Sequence, residues 1–169
     1  MSSPNIVITG FMASGKTTVS PLVAQSLARE WVDTDEVLVA QIGMSIADCF
    51  ARFGESAFRK LEAEICTDLA ARTDLVISTG GGALLNLETL TSMSSTGMVV
   101  CLDVDEATLE ARLADAERVA VRPLAVEWRT RYHQRAPLYA RIPYHINTVD
   151  KTPDQIAQEI VALWHSVFG

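Results

Sequence analysis

Apolar residues fall along this chain in two alternating patterns, short unbroken runs and helix-spaced stripes. Ile6, Val7 and Ile8 form the first run, within Asn5 to Thr9. Val19, Leu22, Val23, Ser26 and Leu27 then recur at helical spacing over Thr17 to Arg29. A second run, Trp31-Val32, sits in Glu30 to Asp33, and a helix is expected over Glu36 to Ile42, ending at Gly43. Ser45 opens a short helix carrying Ile46, Phe50 and Phe53, which Gly54 stops. From Glu55 a longer stripe follows, with Phe58, Leu61, Ile65 and Leu69 on one side and Arg59, Lys60, Glu62 and Glu64 among the polar positions. Leu75 to Ser78, Met98 to Asp103 and Tyr144 to Asn147 read as three more strands, and Leu109 and Leu113 mark a helix over Asp105 to Ala114. Thr152, Pro153 and Gln155 give the last helix a cap, a first-turn proline and a capping-box partner, with Ile156, Ile160, Leu163 and Val167 as its buried side.

This alternation of strand and helix predicts an α/β domain with a parallel sheet, helices on both faces and right-handed crossovers. At 169 residues the chain has the length of a single domain, 1–169, large enough to bury a core without disulfides or metal staples.

The junction of the first strand and first helix carries the chemistry. Gly10-Phe11-Met12-Ala13-Ser14-Gly15-Lys16-Thr17 places four residues between two glycines and follows them with Lys-Thr, the phosphate-binding loop pattern. Backbone N–H groups of such a loop turn inward around an anion, and the helix N-terminus adds its partial positive charge. Lys16 would bridge the outer phosphates and the Thr17 hydroxyl would hold a magnesium ion; Thr18 lies one position further on.

Composition narrows the partners. A formal net charge of -7 opposes a nucleic-acid footprint, which needs clustered cations. No apolar stretch reaches bilayer length and no leader-like segment opens the sequence, so a cytoplasmic protein without membrane contact is expected. Cys49, Cys66 and Cys101 are far apart and read as small buried thiols. His133, His145 and His165 are scattered, without a partner at metal-ligand spacing.

Three further stretches bear candidate polar groups, two of them at predicted strand ends. Asp33-Thr34-Asp35 leaves the second strand with two carboxylates, aimed at the edge where an open parallel sheet binds ligands. The bland alternative makes Asp35 a helix cap and Asp33 a turn residue. Arg59 and Glu62 are helix neighbours, either a solvated pair or a carboxylate that orients a guanidinium for bidentate grip. Thr79-Gly80-Gly81-Gly82 follows the third strand, where glycines either donate N–H groups to a ligand or let two elements approach closely.

Together with Phe58 to Glu62, Arg122-Pro123-Leu124 and Arg135-Ala136-Pro137-Leu138-Tyr139, these motifs stand in the order seen in shikimate kinases, which the chain resembles over nearly its whole length. The resemblance implies the three-layer α/β/α P-loop kinase fold, with a five-stranded parallel sheet in the order 2-3-1-4-5. It implies ATP and shikimate as substrates, magnesium as cofactor, a monomer, and a place in aromatic amino-acid biosynthesis. Lys16, Asp35 and Arg122 would be catalytic. Asp35 would bind the shikimate diol and help deprotonate the attacking hydroxyl, while Thr17 and Asp33 would hold magnesium, Asp33 through water. Arg59, Arg135 and the glycines Gly80, Gly81 and Gly82 would complete the substrate site. The nucleotide would be held by Gly10 to Thr18, Arg118, Arg122 and Lys151, with a lid around 114–124.

Two departures from the family pattern stand out. Arg122 and Arg135 are only 13 positions apart, shortening the segment from Ala125 to Gln134, and Lys151 occupies the place of an adenine-side arginine. Two alternatives follow: a kinase of another small hydroxy acid such as gluconate, and a nucleotide-binding regulatory module without transfer activity.

Overall fold

The computed structural model describes residues 3–119 and 127–169. The five apolar runs form five strands: β1 (Asn5–Gly10), β2 (Glu30–Asp33), β3 (Leu75–Ser78), β4 (Gly97–Asp103) and β5 (Tyr144–Asn147). All pair in parallel, in the order β2-β3-β1-β4-β5 that the resemblance implied. Seven helices lie among the described residues: α1 (Lys16–Ser26), α2 (Thr34–Ile42), α3 (Ile46–Ala70), α4 (Leu87–Thr96), α5 (Glu106–Val119), α6 (Trp128–Tyr139) and α7 (Pro153–Phe168).

Strand alternation divides the core into two layers. Ile6 and Ile8, with Val76, Val100 and Leu102, face α1 and α7, meeting Val19, Val23, Ile156, Ile160 and Trp164. Val7, Ile77, Val99 and Cys101 point to the opposite face and meet Phe58, Ile65 and Leu69 of α3, Met93 of α4 and Leu109 of α5. Because both faces are covered, β1, β3 and β4 read as continuous apolar runs, unlike half-exposed strands. Parallel pairing also brings the C-terminal ends of all five strands to one edge, where β1 ends in the phosphate-loop sequence and β2 ends in Asp33.

Four expectations are corrected. Helix α4 was not anticipated, because Thr89, Thr91, Ser92, Ser94, Ser95 and Thr96 are weak helix formers. It is nucleated by Asn86, whose side chain accepts from the N–H groups of Glu88 and Thr89, and held by buried Leu90 and Met93. On α3, the buried stripe runs through Phe58, Glu62, Ile65, Cys66 and Leu69, so that Glu62, not Leu61, turns inward. On α7 the buried side is Ile156, Ala157, Ile160 and Trp164, with Leu163 and Val167 at or beyond its margin.

The fourth concerns the end of the helix expected over Asp105 to Ala114; the lid expected around 114–124 lies partly outside the described residues. Helix α5 continues to Val119, so the polar stretch from Ala114 begins as helix and not as loop, and Arg118 belongs to that helix. Arg122 lies outside the described residues. The segment before Arg135 is helical from Trp128, because α6 anchors its first turn with buried Trp128.

Candidate active site

The phosphate-loop sequence folds between β1 and α1 as the motif requires. Gly15 takes φ 100° at the helix N-cap, and no side chain competes for the first N–H groups of α1. Lys16 folds back over the loop, its Nζ donating to the carbonyls of Gly10 and Phe11 at 2.8 Å each. Burial pushes its ammonium down to about 8, against the opposing pull of the Asp35 and Asp33 carboxylates. A cavity of about 640 Å³ opens there, lined by the loop, Thr17, Asp33, Arg112, Lys151 and Pro153. A nucleoside triphosphate fits its chemistry: amide donors and Lys16 at one end, apolar and cationic groups at the other.

Asp33, not Asp35, caps α2. Its Oδ1 accepts from the Asp35 and Glu36 N–H groups at 2.8 and 3.3 Å, and its Oδ2 accepts from the Ser78 hydroxyl at 2.8 Å. Ser78 in turn accepts from the Trp31 indole. The strand therefore ends at Asp33, and the two carboxylates diverge: Asp33 is held by β3, while Asp35 projects from the first turn of α2. Both line the nucleotide cavity. Burial, with Asp33 close by, raises the Asp35 pKa above its ordinary value, and the positive charges of Lys16 and Arg59 oppose that rise.

A second cleft adjoins the first. Asp35, Arg59, Glu62 and Arg135 gather around Gly80 to Gly82, and from there a cavity of about 740 Å³ extends past Arg131 and Gln134 of α6. Arg59 Nη1 donates to Glu62 at 2.6 Å, and Glu62 is only 3% exposed. Burial raises the Glu62 carboxyl, and the hydrogen bond from Arg59 opposes that rise. Of the two readings open for this pair, the orienting carboxylate is the one consistent with its burial.

The glycine run serves close approach. A Cβ on Gly80 would stand 2.8 Å from carboxylate oxygens of both Asp35 and Glu62, and one on Gly82 would stand 2.5 Å from Arg59 Nη1. The Gly80 N–H is already taken by Thr34 Oγ1. Across the cleft Tyr139 donates its hydroxyl to the Gly81 carbonyl, tying α6 to this loop. Arg135 lies over the Phe11 ring, 5.8 Å from its centre, which connects the phosphate loop to the same helix.

Thus Met12 to Thr18, Asp33, Asp35, Arg59, Gly80 to Gly82, Arg135 and Lys151 of the expected set border the two joined clefts, while Gly10 and Phe11 are buried behind them. Thr18 is exposed at the start of α1, and Lys151 reaches the nucleotide cavity while paired to Glu159 at 2.8 Å. Sequence reasoning missed Arg112, whose guanidinium donates to the Ala13 carbonyl at 3.0 Å and the Thr148 carbonyl at 3.4 Å. Its one signal is position: it adjoins Leu113 and lies three after Leu109, on the flank of the buried stripe of α5. His145, without a partner at metal-ligand spacing along the sequence, is set by the fold beside Asp103 and Cys101.

A phosphate loop at the carboxyl edge of a parallel sheet, opening onto a second cleft with fixed cations and a carboxylate, defines a P-loop kinase acting on small molecules. The family model "Shikimate kinase" matches residues 12–164. The chain is 37% identical over 163 residues to a shikimate kinase of Thermodesulfovibrio yellowstonii, covering 93% of this chain and 92% of that relative. It is 45% identical over 120 residues to that of Symbiobacterium thermophilum, covering 71% and 68%. A shikimate kinase from Acinetobacter baumannii, solved in complex with shikimate, superposes with a TM-score of 0.87 at 32% identity, over 98% of this chain and 95% of that one. A gluconokinase from Sinorhizobium meliloti, 15% identical with a TM-score of 0.59 over 97% and 93% of the two chains, shares the fold alone. The chain belongs to the shikimate kinase family.

Proposed function

We propose that this chain transfers the γ-phosphoryl group of ATP to the 3-hydroxyl of shikimate, giving shikimate 3-phosphate and ADP. The observation that carries this reading is the cleft at Gly80 to Gly82, where Arg59, oriented by buried Glu62, and Arg135 face the same space as Asp35. Two guanidinium groups suit a carboxylate, and a carboxylate suits the hydroxyls of a small cyclic polyol. A nucleotide-binding module without an acceptor has no use for that set.

In the reaction, Asp35 accepts the proton of the 3-hydroxyl as its oxygen forms a bond to the γ-phosphorus, and the bond to the bridging oxygen of ADP breaks. Burial makes Asp35 a stronger base than an exposed aspartate. Lys16 leaves its loop carbonyls for the phosphate oxygens, whose charge restores an ammonium weakened by burial. Thr17 and Asp33 offer hard oxygen donors on the nucleotide cavity, the donor type magnesium requires, and magnesium there would neutralise phosphate charge. Arg112 would meet the base end of the nucleotide beside Lys151. Arg122 and Arg118 would add cations over the phosphates from the lid. The chain acts as a monomer in the cytoplasm on this reading; no single helix among the described residues is long and apolar enough to cross a membrane.

The test is ADP release from ATP and magnesium with shikimate, with gluconate and with no acceptor, for wild type and Asp35→Asn. Shikimate-dependent turnover that falls by about 10²–10⁴ in the variant, with nucleotide affinity retained, is expected. Turnover with gluconate alone would replace the acceptor, and nucleotide binding without any turnover would replace the reaction.

A further inference from the structure

The face of the sheet beneath α6 carries a cluster that phosphoryl transfer does not use. Cys101 and Asp103 are two apart on β4 and therefore share a face, and Cys101 is the register partner of His145 on β5. One ligand atom from each, the sulfur, a carboxylate oxygen and an imidazole nitrogen, lie within 4.8 Å of one another. They border a cavity of about 230 Å³ that Phe11, Tyr132, Ala136 and Tyr139 also line. We propose that Cys101, Asp103 and His145 form a binding site for a borderline-soft divalent cation of the zinc type, separate from the nucleotide cleft.

The orientation of His145 supports this site. Its Nε2 faces the Ile142 carbonyl at 3.0 Å, and a carbonyl can only accept, so Nε2 carries hydrogen. Nδ1 is thereby turned toward Asp103, 3.0 Å from each carboxylate oxygen. A metal-binding histidine is held in this way, with its outer N–H on a backbone carbonyl and its other nitrogen aimed at the ion. Cys101, buried at 1% exposure, supplies the sulfur within hydrogen-bonding reach of the same carboxylate.

Charge and protons balance. An entering divalent cation displaces the thiol proton and any proton on Nδ1, which leave to water. Thiolate, carboxylate and neutral imidazole then offset the two positive charges, leaving a neutral site whose fourth position opens to the cavity. Three protein ligands with one open position is a usual zinc arrangement. Sulfur and imidazole select against magnesium, which takes oxygen donors.

The 169-residue chain, treated with a chelator, would be titrated with Co²⁺ and followed by absorption. Binding of one equivalent is expected, with visible bands of four-coordinate cobalt and a near-ultraviolet thiolate-to-cobalt band, undiminished by excess Mg²⁺ and reversed by Zn²⁺. Exposed His145→Ala should weaken Co²⁺ by more than about tenfold, since loss of even an outer partner costs that much. Cys101→Ser should remove the thiolate band; circular dichroism would confirm that each variant is folded. Absence of the thiolate band at saturation, its persistence in folded His145→Ala at unchanged affinity, or displacement by Mg²⁺ would each overturn the proposal. None of these readouts depends on kinase activity.

Discussion

Arg59 donates to Glu62 at 2.6 Å from within one helical turn, and of the two only Glu62 is sealed from water, at 3% exposure. The buried partner thus fixes the half-buried one. An arginine free to rotate would lose rotamer entropy on gripping a carboxylate; here the fold has already ordered it. Glu62→Gln keeps the shape of the side chain and removes its charge. A hydrogen bond to a charged group contributes about 1.5–3 kcal/mol, so the apparent KM for shikimate should rise by about tenfold or more. Steady-state kinetics with each substrate varied would check this, and an equal rise in KM for ATP would contradict it.

Gly82 makes the same point sterically. Its φ of -103° is open to any residue, so Gly82→Ala should fold, yet the new Cβ would fall 2.5 Å from Arg59 Nη1. The guanidinium, being the mobile party, must shift. We expect KM for shikimate to rise severalfold with the thermal midpoint and ATP affinity close to wild type. A variant with unchanged KM would show that Arg59 tolerates displacement.

Asp33 combines two duties that one substitution can separate. As cap of α2 it accepts two N–H groups, which asparagine does about as well as aspartate. Asp33→Asn should therefore keep the cap but lose the acceptor of the buried Ser78 hydroxyl, costing about 1 kcal/mol of stability. Loss of the negative charge should raise the magnesium concentration needed for half-maximal turnover. Denaturant melts and magnesium titrations of activity distinguish the duties, and unchanged magnesium dependence would leave Asp33 with its structural duty alone.

Lys16 couples the site to pH. Its ammonium stands at about 8 when folded against 10.5 when free, so between these values the unfolded chain holds a proton that the native one has released. Stability rises with pH wherever the unfolded state binds more protons. Nucleotide-free protein should accordingly gain stability as pH increases from about 8 toward 10 relative to Lys16→Met, which carries no such group. That variant should also be the more stable of the two at pH 7 while losing phosphoryl transfer. Parallel pH slopes for the two proteins would show that the burial of Lys16 is relieved by other means.

Sequence alone determined the parts of this protein whose physics is local. The phosphate-loop sequence between an apolar run and a helical stripe, the capping box at Thr152 to Gln155, and the five apolar runs all follow from short-range spacing, and each is present. Family resemblance then supplied the strand order and named Asp35, Arg59, Gly80 to Gly82 and Arg135, which line one cleft. Tertiary structure decided what depends on groups distant in sequence. Only packing shows that Glu62 is buried, since its helix carries apolar and polar residues on both sides of it. Ser78, 45 positions from Asp33, holds that carboxylate in place. Helix α4 exists because Leu90 and Met93 find a core that its weak formers could not nucleate alone. Cys101, Asp103 and His145 meet because β4 and β5 pair in register, a relation between strands that no spacing along one chain records.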